Sequence, residues 1–244
     1  MGDTVHREEA LFYMRESYIT HRDGKPVDNY EMTCEKWRKT YLGMDQEELI
    51  RRFQLEHDEQ ASYIVYYNEK YRIDRKNGMI TLVDDPEKRI SFNTLMSIYN
   101  LFYYSKPQAK VRGEFVPFRQ VKRAAPFDPA FKRMVINLLA ETFSGRSGLL
   151  EKACLALNGR PIHQGDVGYE IQAFDCVPVT VVFWDGDEEF SAQANILFDA
   201  DITDFIHEET VCCIGSDLVR RLSEEAGLGQ VDHLLGGDIV IESR

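Results

Sequence analysis

Hydrophobic spacing divides the chain into stretches of helical period and stretches of strict alternation. Between Asn29 and about His57, Trp37, Tyr41 and Met44, followed by Leu49, Ile50 and Phe53, fall near helical spacing and predict two helices broken at Leu42-Gly43. Asp45 stands as an N-cap for the second, with Glu47 and Glu48 favourably placed in its first turn. From Ala61 the period changes to two, and SYIVYY, KYRID and MITLV read as three short strands. Asn68-Glu69 joins the first pair and Asn77-Gly78 the second, where a type I′ turn needs two residues at positive φ. Ser91 is placed to cap a helix running through Tyr104, which Pro107 stops. GEFVPFRQV then reads as a strand, and KRAAPFDP as a connector.

The second half repeats the alternation of helices and strands. Asp128 as N-cap and Pro129 at the first helical position predict a helix with Phe131, Val135, Leu138 and Thr142 on one side, ended by Gly145. Ser147 opens another, with Leu150, Ala153, Cys154 and Leu157 inward, ended by Gly159. GYEIQAF, VPVTVVFW and DEEFSAQANI read as three strands, the last two joined by a tight turn at Asp185-Gly186, with Phe190, Ala192, Ala194 and Ile196 on one face. DITD predicts a short helix capped by Asp201, and Val211, Ile214, Leu218 and Leu222 a final helix that Gly215-Ser216 threatens to break. The glycine-rich tail ends in a candidate edge strand. The expected fold is α+β, antiparallel meanders packed against helices. The division is an N-terminal extension (1–28), one two-lobed domain (29–226, lobes about 29–121 and 128–226) and a C-terminal tail (227–244).

Composition narrows the function classes. The net charge of −12, with no basic block of nucleic-acid type, argues against a polyanionic nucleic acid as partner. No run approaches the roughly 20 apolar residues that span a bilayer, and the charged start MGDTVHREEALFYM has no apolar signal core, so a cytoplasmic location is expected. The five cysteines include no CxxC pair and fit reduced thiols. The Gly-rich phosphate loops, HExxH and GxSxG are absent.

Candidate chemistry gathers in FWDGDEEFSAQANILFDADITDFIHEE, from Phe183 to Glu209. Asp185, Asp187, Asp199 and His207 would hold a cation if the hairpin end and the following helix start lie side by side, because hard cations favour carboxylate oxygens. The alternative gives Asp185 to a turn, Asp201 to a cap, and Glu188 and Glu189 to a solvated edge. In the GRPIHQGD loop, His163 and Asp166 would make a base and its orienting carboxylate, or an ordinary turn. Trp184, Phe190 and Tyr169 would supply apolar contact to a ligand between the lobes, with Asp187, Glu188 and Glu189 orienting it. Cys212-Cys213 is a vicinal pair whose side chains diverge by about 100° on a helix, which disfavours joint chelation. SGRSG at Ser144–Gly148 would accept an anion at a helix N-terminus, or simply connect two helices.

NEKYRIDRKNGMI with GEFVPFRQV, and above all VPVTVVFWDGDEEFSAQANILFDADITDFIHEE, resemble a family of uncharacterised bacterial and archaeal proteins, mostly from anaerobes. The resemblance covers about Ala61 to Leu222. Some relatives carry a cysteine-rich iron–sulfur module ahead of this domain, and some occur beside corrinoid or one-carbon enzymes. This chain has no such cysteine cluster, so that role does not carry over. The resemblance implies a cytoplasmic ligand-binding or accessory domain, identifies no catalytic residue and leaves the cofactor unknown. Two alternatives stand beside it: a metal-dependent enzyme using the carboxylate–His cluster, and a protein-docking module with an acidic face. The expected partner is a small molecule or a protein.

Overall fold

The computed structural model describes residues 19–22 and 25–229. A short hairpin, β1 (Ile19–Arg22) and β2 (Lys25–Asp28), leads into α1 (Asn29–Leu42) and α2 (Gln46–Phe53). Asp45 does cap α2, accepting from the Glu48 N–H at 3.0 Å. This helix stops at Phe53 because Gln54 turns left-handed (φ 51), and His57 lies in a strand. The first main sheet is antiparallel, β3 (Glu56–His57), β4 (Ala61–Tyr66), β5 (Glu69–Asp74) and β6 (Ile80–Leu82), in chain order. Its turns differ from expectation. The two-residue turn with both φ positive is Tyr67-Asn68 (φ 44 and 63), whereas at Asn77-Gly78 only Gly78 is positive. There Asp74 Oδ1 accepts from the Lys76 and Asn77 N–H groups and holds a longer loop.

α3 (Phe92–Tyr104), capped by Ser91, is buried on all sides from Phe92 to Phe102 and forms the centre of the molecule. The chain then crosses to β7 (Phe115–Pro117), two 3-10 turns (Phe118–Gln120 and Ala125–Phe127) and α4 (Asp128–Phe131). Asp128 sits inside α4 with its side chain uninvolved in capping. A π-helical stretch, Lys132–Ile136, leads into α5 (Asn137–Phe143). The wider π turn rotates α5 about its axis, so Leu139, Ala140 and Phe143 face inward instead of the expected Leu138 and Thr142.

α6 (Ser147–Ala156) buries Leu150, Ala153 and Cys154, with Leu157 just beyond it, as the spacing predicts. The second sheet comes next: β8 (Arg160–Pro161), β9 (Val167–Phe174), β10 (Val177–Trp184) and β11 (Gln193–Asp199). It is antiparallel in the order β7-β11-β10-β9-β8, so β7 from the first half supplies an edge. β11 starts at Gln193, six residues later than expected, and residues 185–192 form a long loop in place of a tight turn. After a 3-10 turn (Ile202–Asp204), α7 (Glu208–Glu225) runs without a break at Gly215-Ser216 and packs on α3 and α6. Gly215 is required there: a Cβ would come within 2.6 Å of the Phe131 ring. The Tyr67 N–H donates to Ala173 O (2.9 Å), joining the two sheets, and one apolar cluster runs from Cys34 to Leu222. The structure thus has the α+β architecture of antiparallel sheets packed by helices. The candidate edge strand of the tail lies outside the described residues.

Candidate functional site

The end of β10 gathers most of the expected ligand-binding residues, and short-range backbone chemistry explains their placement. Asp166 Oδ2 accepts from the Asp185 N–H (2.8 Å), while the Asp166 N–H donates to Phe183 O (2.8 Å). This clasp fastens the GRPIHQGD loop to the start of the hairpin loop. Asp185 Oδ1 accepts from the Gly145 N–H (2.7 Å) and the Gly186 N–H (2.8 Å). The Gly145 N–H, with Gly186 and Ser147 behind it, holds the Asp185 carboxyl below its usual range. The SGRSG segment therefore does meet an anion, and the anion is the chain's own Asp185.

Asp187 braces the loop itself. Its Oδ1 accepts from the Glu189 and Phe190 N–H groups, both at 2.8 Å, and its own N–H donates to Phe190 O (2.9 Å). Those N–H groups lower the Asp187 carboxyl, Glu189 first. The result is a closed polar loop that turns Phe190 outward at 65% exposure, the most exposed large apolar side chain among the described residues; Trp184, at the end of β10, is 41% exposed. Glu188 and Glu189 are exposed on the same loop. Tyr169 is buried, its hydroxyl donating to Glu151 (3.2 Å), and so stands apart from this surface. His163 is exposed, and no hydrogen bond joins it to Asp166.

The four expected metal ligands do not converge. Asp199 lies at the far end of β11, roughly 20 Å from Gln193 at the rise of an extended strand. It is buried and engages the backbone with both oxygens, Oδ2 on the Gly113 N–H (2.7 Å) and Oδ1 on the Asp201 N–H (2.9 Å). His207 is the N-cap of α7, its Nδ1 accepting from the Glu209 N–H (3.3 Å) with its ring on Tyr104 (4.9 Å). Among the described residues, no group of three His, Cys, Asp or Glu is arranged to hold a metal ion. Asp201 caps through its backbone carbonyl alone, without the expected capping box. Burial pushes the Cys212 and Cys213 thiols up, away from the thiolate a nucleophile needs.

A second polar cluster is one that sequence reasoning misses. Asp217 of α7 is 1% exposed and accepts at Oδ2 from Tyr66 OH and Thr94 Oγ1, both at 3.0 Å, with Arg220 Nε 3.4 Å from Oδ1. Tyr66 also reaches Ser97 (3.3 Å), and Thr210 donates to Asn100 (3.0 Å) across the same seam. Burial raises the Asp217 carboxyl despite these donors and the nearby guanidinium. The legible signal is a carboxylate at 217, between Ile214 and Leu218 on the inward, apolar side of an amphipathic helix.

No helix among the described residues is long and apolar enough to cross a membrane. The chain belongs to the family described as Domain of unknown function (DUF3786), whose model matches residues 45–221, starting at the cap of α2 and so ahead of the Ala61 expected from the resemblance. No curated protein and no solved structure matches the chain.

Proposed function

We propose that this chain is a non-enzymatic accessory domain that binds a basic segment of a partner protein through the end of the β10–β11 hairpin. One observation carries the reading: a loop braced by Asp187 exposes Phe190 together with Glu188 and Glu189, and Trp184 is exposed at the strand end that leads into it. Ordering a loop costs conformational entropy, and a loop already ordered around exposed aromatics avoids that penalty on binding. Aromatic anchors ringed by charge are the usual centre of a protein interface, and the carboxylates select a cationic partner. The dispersal of Asp185, Asp187, Asp199 and His207 onto separate backbone duties favours this reading over a metal-dependent enzyme. We take a cytoplasmic location, and a setting in anaerobic cofactor or one-carbon metabolism, from the family resemblance.

The test uses Trp184 as its own reporter. In a Trp37→Phe background, a lysine-rich peptide carrying one aromatic residue is expected to change Trp184 fluorescence saturably. The affinity should fall with added salt, and again on Phe190→Ser or on Glu188→Gln with Glu189→Gln. A fluorescence trace flat at every peptide concentration, or affinity unchanged in both variants, overturns the proposal.

A further inference from the structure

The chain is acidic overall, yet residues 106–133 carry eight Lys and Arg against two acidic residues, a local charge of +6. The middle of this segment shows why those cations face outward. Phe118, Val121 and Ala124 are buried at a spacing of three, the period of 3-10 structure, and they anchor the segment to the core. That anchoring leaves Arg119, Lys122 and Arg123 exposed between them. Phe118 stacks on Phe131 (ring centroids 4.2 Å apart), which ties the turn that carries Arg119 to the helical stretch that carries Lys132 and Arg133, both also exposed. The two 3-10 turns and α4 pack against one another, so these five cations share one rigid strap. Pro117, Pro126 and Pro129 stiffen its backbone.

Four of these five cations are also unneutralised. Elsewhere arginines find carboxylates, as in Arg38–Glu35, Arg72–Asp74, Arg160–Glu170 and Arg220–Glu224. With 41 acidic residues to 29 basic ones, carboxylates outnumber the cations they could pair with. Arg123 does pair with Glu208 (3.1 Å). Arg119, Lys122, Lys132 and Arg133 have no carboxylate within ion-pair reach among the described residues.

We infer that the strap from Phe118 to Arg133 is a second interaction surface, one that docks an acidic segment of a partner protein. Charge complementarity selects an anion, and the small extent of the patch fits a short peptide. A nucleic acid fits less well. The rings of Phe118 and Phe131 are turned inward, so none of that stacked pair offers a base its face, and a long polyanion would also run over the acidic remainder of the chain. This surface is separate from the hairpin end and stands or falls independently of it.

The experiment is fluorescence anisotropy with a labelled oligo-glutamate peptide on the full chain. Lys122→Gln with Lys132→Gln is compared with Lys76→Gln with Lys152→Gln, which removes the same charge at exposed sites off the strap. The expected result is saturable binding that weakens about tenfold in the strap pair and stays near wild type in the control pair. Absent binding, or equal loss in both pairs, overturns the inference. So does a single- or double-stranded oligonucleotide that displaces the peptide from the strap, since the occupant is then nucleic acid. Salt-sensitive self-association in sedimentation, abolished by the strap pair alone, overturns it in favour of a second copy of this chain.

Discussion

The seam between α3 and α7 and the end of the β10–β11 hairpin both place an aspartate among donors, and the two carboxyls move in opposite directions. Asp217 in the seam accepts from two hydroxyls and faces a guanidinium, yet its carboxyl is raised. Asp185 and Asp187 at the hairpin end accept from two N–H groups apiece and are lowered. The number of hydrogen bonds therefore does not decide the outcome; the loss of water around Asp217 does. One acid is sealed in as part of the core, and the others remain ionised at a surface where charge can select a partner.

Replacing the seam acid should break the comparison most violently. Asp217→Ala leaves Tyr66, Thr94 and Arg220 without their shared acceptor, and a loss of about 3 kcal/mol or more is expected in urea unfolding. Gly215→Ala, two residues away, drives a methyl group into the Phe131 ring and should cost about 1–3 kcal/mol by the same measurement. At the hairpin end, Asp185→Ala removes the acceptor of the Gly145 N–H, with a loss below about 1 kcal/mol once solvent screening is allowed for.

The pH dependence sharpens the contrast because its sign reverses. A raised Asp217 contributes stability that is full below its ordinary value of 3.8 and is lost as pH rises through the folded value. Asp217→Asn should therefore flatten the decline in unfolding free energy above pH 3.8. A lowered Asp185 contributes stability above 3.8, lost as pH falls through its lower folded value, so Asp185→Asn should remove an acid-sensitive part of the stability curve. The smallest effect is on folding itself at Phe190. Phe190→Ser should leave the thermal midpoint where it was, because 65% of that residue is already in water, while altering peptide affinity.

Much of the architecture is legible in the sequence because it rests on local chemistry. Asp45 and Ser91 cap their helices where the spacing predicts, and Leu150, Ala153, Cys154 and Leu157 face inward at helical period. The features that escape depend on partners distant in sequence. Tyr67 takes positive φ in a turn where its own side chain is fully buried, with its hydroxyl on Ile214 O (2.9 Å). The π-helical turn at Lys132–Ile136 leaves no local mark, so the inward face shifts to Leu139 and Phe143. The alternation of Phe190 with Ala192 imitates a strand, although Asp187 folds that stretch into a loop. At the site, the exposed aromatic and acidic residues of the hairpin end are adjacent in sequence, and a local loop keeps them together. The metal set is not brought together, because Asp199 ends the strand that Gln193 begins, which spacing along the chain does not reveal.

The bond from the Tyr67 N–H to Ala173 O also bears on the order in which the molecule can be assembled. The turn between the first two long strands is held by a carbonyl 106 positions downstream and by a second one at Ile214. A nascent chain that has emerged only as far as α6 has neither acceptor, and Tyr66 also lacks Asp217. The turn of this meander therefore has its full set of bonds only when the last helix is in place. A fragment cut ahead of Glu208 should show fast amide exchange in β4 and β5, and adding α7 back as a separate peptide should slow it.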